Sequence, residues 1–241
     1  MTTAPRLRRP VPPAGRGGRR RATALVLAAA LLAAGAFGLS RCAGGGGPAP
    51  RAPWGDGTAH GRWQSVFNGH GVNTGDDDAL ELTPRAATEP GTTHAGLVVS
   101  RAVYGDVEYQ ARMRTVEQLR TPAPNTWEVA WLVWAYTDPE HFYYVTLKPN
   151  GWELGKRDPA YPGGQRFLAT GERGFPVGRW YTVEVQQQGG RLRVAVDSAG
   201  LADFTDTERP YLQGALGAYT EDAKVEFQKL RARSRQDRPQ G

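Results

Sequence analysis

Residues 181–196 read YTVEVQQQGGRLRVAV. Apolar and polar side chains alternate on both sides of Gly189-Gly190, and this period of two indicates strands that are buried on one face. The two glycines supply the positive φ angles that a tight primed turn requires, so the stretch predicts a β-hairpin. An antiparallel sheet is therefore the first element that the sequence predicts.

The same alternation extends over most of the chain after Pro53. Pro and Gly residues separate the alternating runs, and no stretch of twelve residues after Pro53 has a helical period of 3.6. Further predicted strands cover residues 79–83, 94–100, 107–115, 126–136, 142–148, 152–156, 166–169, 215–219 and 224–230. About a dozen short strands in one domain predict an all-β fold of two packed antiparallel sheets.

Net charge is distributed unevenly along the 241 residues. The chain carries 30 Lys and Arg against 24 Asp and Glu, but eight arginines and no acidic residue lie within residues 1–42. The remainder therefore holds 22 basic and 24 acidic residues. This near balance argues against a nucleic-acid partner, and the single Cys excludes a disulfide framework.

The N-terminal segment has the pattern of an export signal. Residues 19–21 are all Arg and precede an uncharged, Ala- and Leu-rich run at residues 22–40, the order of charges found in secretory signals. The run is also just long enough to span about 30 Å of hydrocarbon. Cleavage near residues 34–36, retention as a membrane anchor and lipidation at Cys42 all remain open. Each outcome places the following domain outside the cytoplasm, either secreted or anchored to the cell membrane.

Composition divides the chain into four segments. A Gly- and Pro-rich stretch is typical of a tether, and a polar C-terminal stretch is typical of a solvated tail. All Trp and all Tyr residues lie between these two stretches. The predicted segments are a signal or anchor at 1–42, a linker at 43–53, a β-sandwich domain at 54–232 and a tail at 233–241.

Several stretches carry a resemblance to known families. They are Trp63–Gly69, Gly178–Val185 with Gly190–Asp197, and Gly214–Tyr219 followed by Val225-Glu226-Phe227. Together they resemble concanavalin A-like jelly-roll domains, including laminin-G-like domains, glycoside hydrolase family 16 and 3-keto-disaccharide hydrolase domains. The resemblance covers most of residues 60–232 at the level of strand order, and it implies a concanavalin A-like jelly-roll sandwich.

Such a fold leaves the function open, because it carries lectins, hydrolases and adhesion modules alike. The first hypothesis is a lectin-like domain of the cell envelope that binds a polysaccharide or cell-wall glycan and is monomeric. The first alternative is a glycoside or 3-keto-disaccharide hydrolase. The second alternative is a structural adhesion module without a glycan ligand.

The resemblance also implies a structural calcium ion. Many folds of this type hold one Ca²⁺ where the first and last strands meet, which places Asn68 and Asp222 as oxygen ligands. Residues 76–78 are three consecutive Asp and offer a second candidate, although such a run is more typical of a solvated loop. The four His residues show no metal-ligand spacing, which argues against zinc.

The most aromatic predicted strand, residues 126–136, suggests where a ligand would bind. Alternation places Trp127 and Trp131 on one face, which we expect to be core, and Glu128 and Trp134 on the other, which we expect to line a groove. Aromatic rings stack on the C–H face of a pyranose, while carboxylates and amines bind its hydroxyls. The predicted ligand-binding residues are Glu128, Trp134, Tyr136, Tyr144, Lys148, Glu153, Lys156 and Arg112.

No catalytic residue is predicted. Family 16 glycosidases carry Glu-x-Asp-x-(x)-Glu on one strand, which sets two carboxylates at the separation that a retaining mechanism needs. In this chain Glu128 is followed by Ala130 and Leu132 at the corresponding positions. Two looser carboxylate pairs remain open, Glu128 with Glu153 and Asp138 with Glu140. The main enzymatic alternative is therefore a 3-keto-disaccharide hydrolase, an activity that the resemblance to that family implies.

Overall fold

Fifteen β-strands and one short 3-10 turn make up the regular structure of residues 51–234, the part of the chain that the computed structural model describes. The strands are β1 (Ala59–His60), β2 (Trp63–Phe67), β3 (Val72–Gly75), β4 (Ala79–Thr83), β5 (Ala95–Tyr104), β6 (Val107–Gln118), β7 (Trp131–Asp138), β8 (His141–Lys148), β9 (Gly151–Arg157), β10 (Gln165–Gly171), β11 (Tyr181–Gln188), β12 (Arg191–Val196), β13 (Ala199–Thr205), β14 (Gly214–Glu221) and β15 (Ala223–Ser234). The 3-10 turn spans Pro162–Gly164.

The strands form two antiparallel sheets. One has eight strands in the order β1-β2-β5-β14-β7-β8-β9-β10, and the other has seven in the order β13-β12-β11-β6-β15-β4-β3. This architecture confirms the predicted all-β sandwich. The signal or anchor at 1–42, most of the linker and most of the tail lie outside the described residues. Within residues 51–234, no helix has the length and apolar character needed to cross a bilayer.

The hairpin at residues 181–196 forms as its alternation predicts. Gln188 of β11 pairs with Arg191 of β12 across the two-residue turn, and Gly189 there adopts a φ of 53°. Val183 and Val185 are buried, whereas Glu184 between them is half-buried. The buried side chains join one core cluster to which β7 of the other sheet also contributes. The hydrophobic core thus lies between the two sheets.

Strand β7 begins later than its sequence predicts. The alternation suggested a strand from residue 126, but the chain forms a turn before Trp131. The Glu128 carboxylate accepts hydrogen bonds from the backbone N–H and the side-chain amide of Asn125, at 2.9 and 2.8 Å. These local bonds compete with sheet pairing and hold the chain in a turn.

The faces of β7 are the reverse of those expected. Leu132 and Trp134 lie in the core between the sheets, whereas Trp131 and Val133 belong to an aromatic cluster on the outer face of the eight-stranded sheet. Hydrophobicity does not distinguish the two faces, because both sets of side chains are apolar. A register shift follows Trp134, and it carries Tyr136 to the outer face as well.

Candidate functional site

A groove lies on the outer face of the eight-stranded sheet. Its volume is about 250 Å³. The side chains come from β7, β9, β10, β14 and the turn before β7, so strands that are distant in sequence meet across it. The lining residues are Trp127, Trp131, Glu153, Arg157, Gln165, Phe167, Tyr219 and Glu221.

Aromatic rings form the base of the groove. The ring centroid of Trp131 lies 4.4 Å from that of Tyr144 and 5.2 Å from that of Tyr219. Tyr144 lies flat across β9 because residue 155 is Gly, and a Cβ there would overlap with the phenol ring and hydroxyl of Tyr144. The side-chain amide of Gln165 donates a hydrogen bond to that hydroxyl. The base is therefore rigid, with Trp131 and Tyr144 almost fully buried.

Two exposed aromatic side chains stand at the rim. Trp127 is 44% exposed and Phe167 is 57% exposed. Trp127 is fixed by its backbone carbonyl, which accepts a hydrogen bond of 2.9 Å from the indole N–H of Trp131. In β10 the side chains alternate, so that Leu168 turns into the core while Phe167 faces solvent. Large apolar surfaces that a fold leaves exposed beside a groove are typical of ligand contacts.

Two carboxylates face the aromatic groups. The hydroxyl of Tyr219 donates a hydrogen bond of 2.6 Å to Glu221. Burial raises the pKa of Glu221; the hydrogen bond from Tyr219 and the charge of Arg157 oppose that rise, while the nearby carboxylates of Asp222 and Glu128 add to it. Glu153 differs in being neutralised, because it forms an ion pair with Lys148. Glu221 is thus a buried carboxyl group of the groove whose pKa lies above its usual range.

A buried ion network supports this end of the groove. Arg120 forms an ion pair with Glu128 and donates a hydrogen bond of 2.7 Å to Asp222, and both carboxylates are fully buried. Arg120 also donates to the backbone carbonyl of Thr92 at 2.8 Å. The expectation that Glu128 lines an open face is therefore wrong, because its oxygens are occupied by Arg120 and the local turn.

A second buried ion pair accounts for Lys156. Its ammonium group donates to Asp206 at 2.8 Å and to the backbone carbonyls of Glu208 and Arg209 at 2.6 and 3.2 Å. The hydroxyl of Tyr143 donates to the same Asp206 carboxylate at 2.7 Å. Lys156 is fully buried on the core side of β9, so its prediction as a ligand-binding residue is also wrong. A long charged side chain is buried here because three oxygen atoms satisfy it.

The remaining predicted residues divide between the groove, its surroundings and distant positions. Glu153 lines the groove, Tyr144 forms part of its base, and Lys148 pairs with Glu153. Tyr136 packs against the same outer aromatic cluster. The predictions that Trp134 and Arg112 bind the ligand are wrong, because neither lies at the groove. Trp134 is fully buried in the core, and the Arg112 guanidinium stacks on Trp180 at 5.0 Å on the seven-stranded sheet.

Sequence reasoning missed several lining residues, some of which alternation could have found. Arg157 follows Glu153 by four positions, so an unbroken strand places both on one face. Tyr219 and Glu221 share a face for the same reason, but the predicted strand ended at residue 219. Gln165 and Phe167 also share a face of β10 by alternation, whereas Trp127 was expected in the core.

Asp222, one of the two residues expected to bind calcium, does not fit that role. One oxygen of Asp222 accepts hydrogen bonds from the backbone N–H groups of Ala87 and His94, at 3.0 and 3.3 Å, and the other accepts from Arg120. An arginine and two backbone amides thus occupy the carboxylate oxygens that a calcium ion would need. The backbone carbonyl of Asn68, the other residue, accepts a hydrogen bond of 3.1 Å from the N–H of Gly71. Among residues 51–234, no group of three His, Cys, Asp or Glu side chains is arranged to hold a metal ion.

Comparison with known proteins agrees with the sandwich architecture. A family model described as the 3-keto-alpha-glucoside-1,2-lyase-like domain matches residues 53–233, which confirms the resemblance to 3-keto-disaccharide hydrolase domains. A search of the curated proteins found no match.

Comparison with solved structures finds likenesses at low sequence identity. The carbohydrate binding module CBM66 from Bacillus subtilis superposes with a TM-score of 0.57 at 15% identity, over 73% of this chain and 97% of that chain. A Bacillus subtilis protein of unknown function with a galectin-like fold gives a TM-score of 0.48 at 12% identity, over 73% of this chain and 87% of that chain. At such identities the first likeness shows the fold alone.

Proposed function

Because this chain belongs to the 3-keto-alpha-glucoside-1,2-lyase-like domain family, we propose that its groove binds a saccharide. The observation that carries the proposal is the meeting of exposed rings with polar groups in one groove. Trp127 and Phe167 offer apolar surfaces for the C–H face of a sugar ring, while Glu221 and Gln165 offer hydrogen-bonding groups for hydroxyls. The signal or anchor predicted for residues 1–42 would present this groove outside the cytoplasm.

Removal of the rim aromatic side chains tests this proposal. We expect Trp127→Ala and Phe167→Ala each to weaken retention on a glycan about tenfold, which corresponds to about 1.4 kcal/mol of lost stacking. The measurement is binding of the full chain to an array of neutral and acidic glycans, followed by titration of the best ligand.

Leu212→Ala provides the matched control for these variants. Leu212 is 56% exposed and does not line the groove, so its loss should leave glycan affinity unchanged. If the wild-type chain is retained on no glycan, the binding proposal is wrong and the structural adhesion module is favoured. Equal loss of affinity in all three variants would also contradict the groove assignment.

Glu221 supports a second candidate function, elimination at a 3-keto-glucoside. The C2 proton of such a sugar is acidified by the adjacent C3 carbonyl. Glu221 would accept that proton, the C1–O bond would break to form a C1=C2 double bond, and the departing oxygen would take up a proton. Burial raises the pKa of Glu221, which makes its carboxylate a stronger base. The hydroxyl of Tyr219 donates a hydrogen bond of 2.6 Å to Glu221, and it would supply the proton that the departing oxygen takes up.

The second candidate makes a separate prediction. The full chain, incubated with 3-keto-trehalose, is expected to produce a conjugated enone that is measured by its ultraviolet absorbance. Glu221→Gln should abolish this product, since an amide cannot accept the C2 proton. Glu184→Gln, on the seven-stranded sheet, is the control and should retain full activity. Absence of product with the wild-type chain, or undiminished activity of Glu221→Gln, would exclude this role.

A further inference from the structure

Arg157 is held in place at the groove by the loop that follows its strand. Its guanidinium packs against Gly164 and donates a long hydrogen bond of 3.5 Å to the backbone carbonyl of Gly163. Its own backbone carbonyl accepts a hydrogen bond of 2.8 Å from the hydroxyl of Tyr211. Both ends of Arg157 are thus tied to the protein, which lowers the entropy that the side chain would lose on binding a ligand.

The charge of Arg157 is not neutralised by a neighbouring side chain. Within residues 51–234, no carboxylate lies within 4.0 Å of its guanidinium, whereas the nearby cation Lys148 is paired with Glu153. The charge of Arg157 nevertheless affects the pKa values of other groups in the groove. Burial raises the pKa of Tyr144, Tyr219 and Glu221, and in each case Arg157 acts in the opposite direction. Arg157 therefore provides an unpaired positive charge that faces groups from two other strands.

We propose that Arg157 selects saccharides that carry a carboxylate, as uronic acids do. The planar guanidinium matches a carboxylate in a two-point geometry that neutral hydroxyls do not reproduce. Among residues 51–234, no side chain accepts a hydrogen bond from its guanidinium, and the long bond to Gly163 engages only the Nη1 nitrogen. This inference rests on the proposed binding function and specifies its ligand class.

The test compares one polysaccharide in two chemical forms. The full chain is titrated with a glucuronic-acid-containing oligosaccharide and with the same oligosaccharide after its carboxyl groups have been reduced to alcohols. We expect the acidic form to bind about 10- to 100-fold more tightly, the range for a hydrogen-bonded charged pair. Its affinity should also fall as NaCl is added, while the reduced form should show little salt dependence.

Three variants test whether Arg157 causes the preference for the acidic oligosaccharide. Arg157→Gln should bind both forms equally, and Arg157→Lys should keep part of the preference because the charge remains without the planar fork. Arg112→Gln removes an equal charge from the seven-stranded sheet and should keep the whole preference. Thermal unfolding of each variant verifies that it is folded.

The outcomes separate this inference from the function on which it rests. Equal binding of the two forms by the wild-type chain overturns the selection by Arg157 and leaves saccharide binding intact. A preference that survives in Arg157→Gln overturns the role of this residue. If neither form nor any arrayed glycan binds, the saccharide-binding function itself is wrong and the inference falls with it.

Discussion

Replacing Trp134 with alanine is expected to lower the free energy of unfolding by about 3–5 kcal/mol, the cost of removing a large side chain from a packed core. Trp134 is fully buried and packs 5.8 Å from the ring of Tyr143. Its indole N–H has no acceptor among the described residues, so the loss comes from packing and not from a broken hydrogen bond. The measurement is denaturant unfolding of the full chain.

Trp127→Ala is the matched control, because it removes the same side chain from the groove rim. With 44% of its surface exposed, Trp127 should contribute about 1 kcal/mol or less to stability while its loss weakens glycan binding. The two tryptophans are seven residues apart in the sequence, yet their variants should differ in what they lose. Trp134→Ala should lose mainly stability, and Trp127→Ala should lose mainly glycan affinity. A stable Trp134→Ala protein with impaired binding would contradict the assignment of faces to β7.

Replacing Arg120 with methionine should cost about 3–5 kcal/mol of stability, because it leaves two buried carboxylates without their shared cation. Glu128 and Asp222 are fully buried, and Arg120 is the side chain that bridges them. Methionine fills a similar length, so the charge is the main thing removed. Chemical denaturation should show an earlier midpoint with an unchanged slope, as expected when stability alone falls.

An exposed ion pair serves as the comparison for Arg120. Arg191 pairs with Asp203 at 2.7 Å, but about half of each side chain is exposed. Arg191→Gln should therefore leave the free energy of unfolding nearly unchanged. If both arginine variants lose equal stability, burial does not determine the strength of these pairs and the network does not support the groove.

The position of this network links stability to the site. Asp222, held by Arg120, directly follows Glu221 in the chain, and Glu128 directly follows the rim residue Trp127. The buried charges therefore fix the backbone on two sides of the groove. Their negative charges also raise the pKa of Glu221, so one arrangement contributes both to folding and to the proton affinity of the groove.

The amino-acid sequence by itself determined the fold class. A period of two in the apolar residues, with glycines and prolines between the runs, is a local pattern, and it specifies strands and hairpins wherever it occurs. The hairpin at residues 181–196 formed as predicted, and the resemblance carried by stretches such as Gly214–Tyr219 led to the correct family. Glu153 and Tyr144 lie on the outer faces of their strands, as alternation relative to the core residues Leu154 and Val145 indicates.

Only the tertiary structure decided which face of β7 meets solvent. Both faces are apolar, so period and hydrophobicity cannot distinguish the core side of Trp134 from the groove side of Trp131. The sequence likewise does not indicate which charged side chains form buried ion pairs. Lys156 and Arg157 are adjacent in sequence, yet one is paired within the core and the other faces the groove. A charge is defined by the groups around it, and those groups come from strands that only the folded sheet brings together.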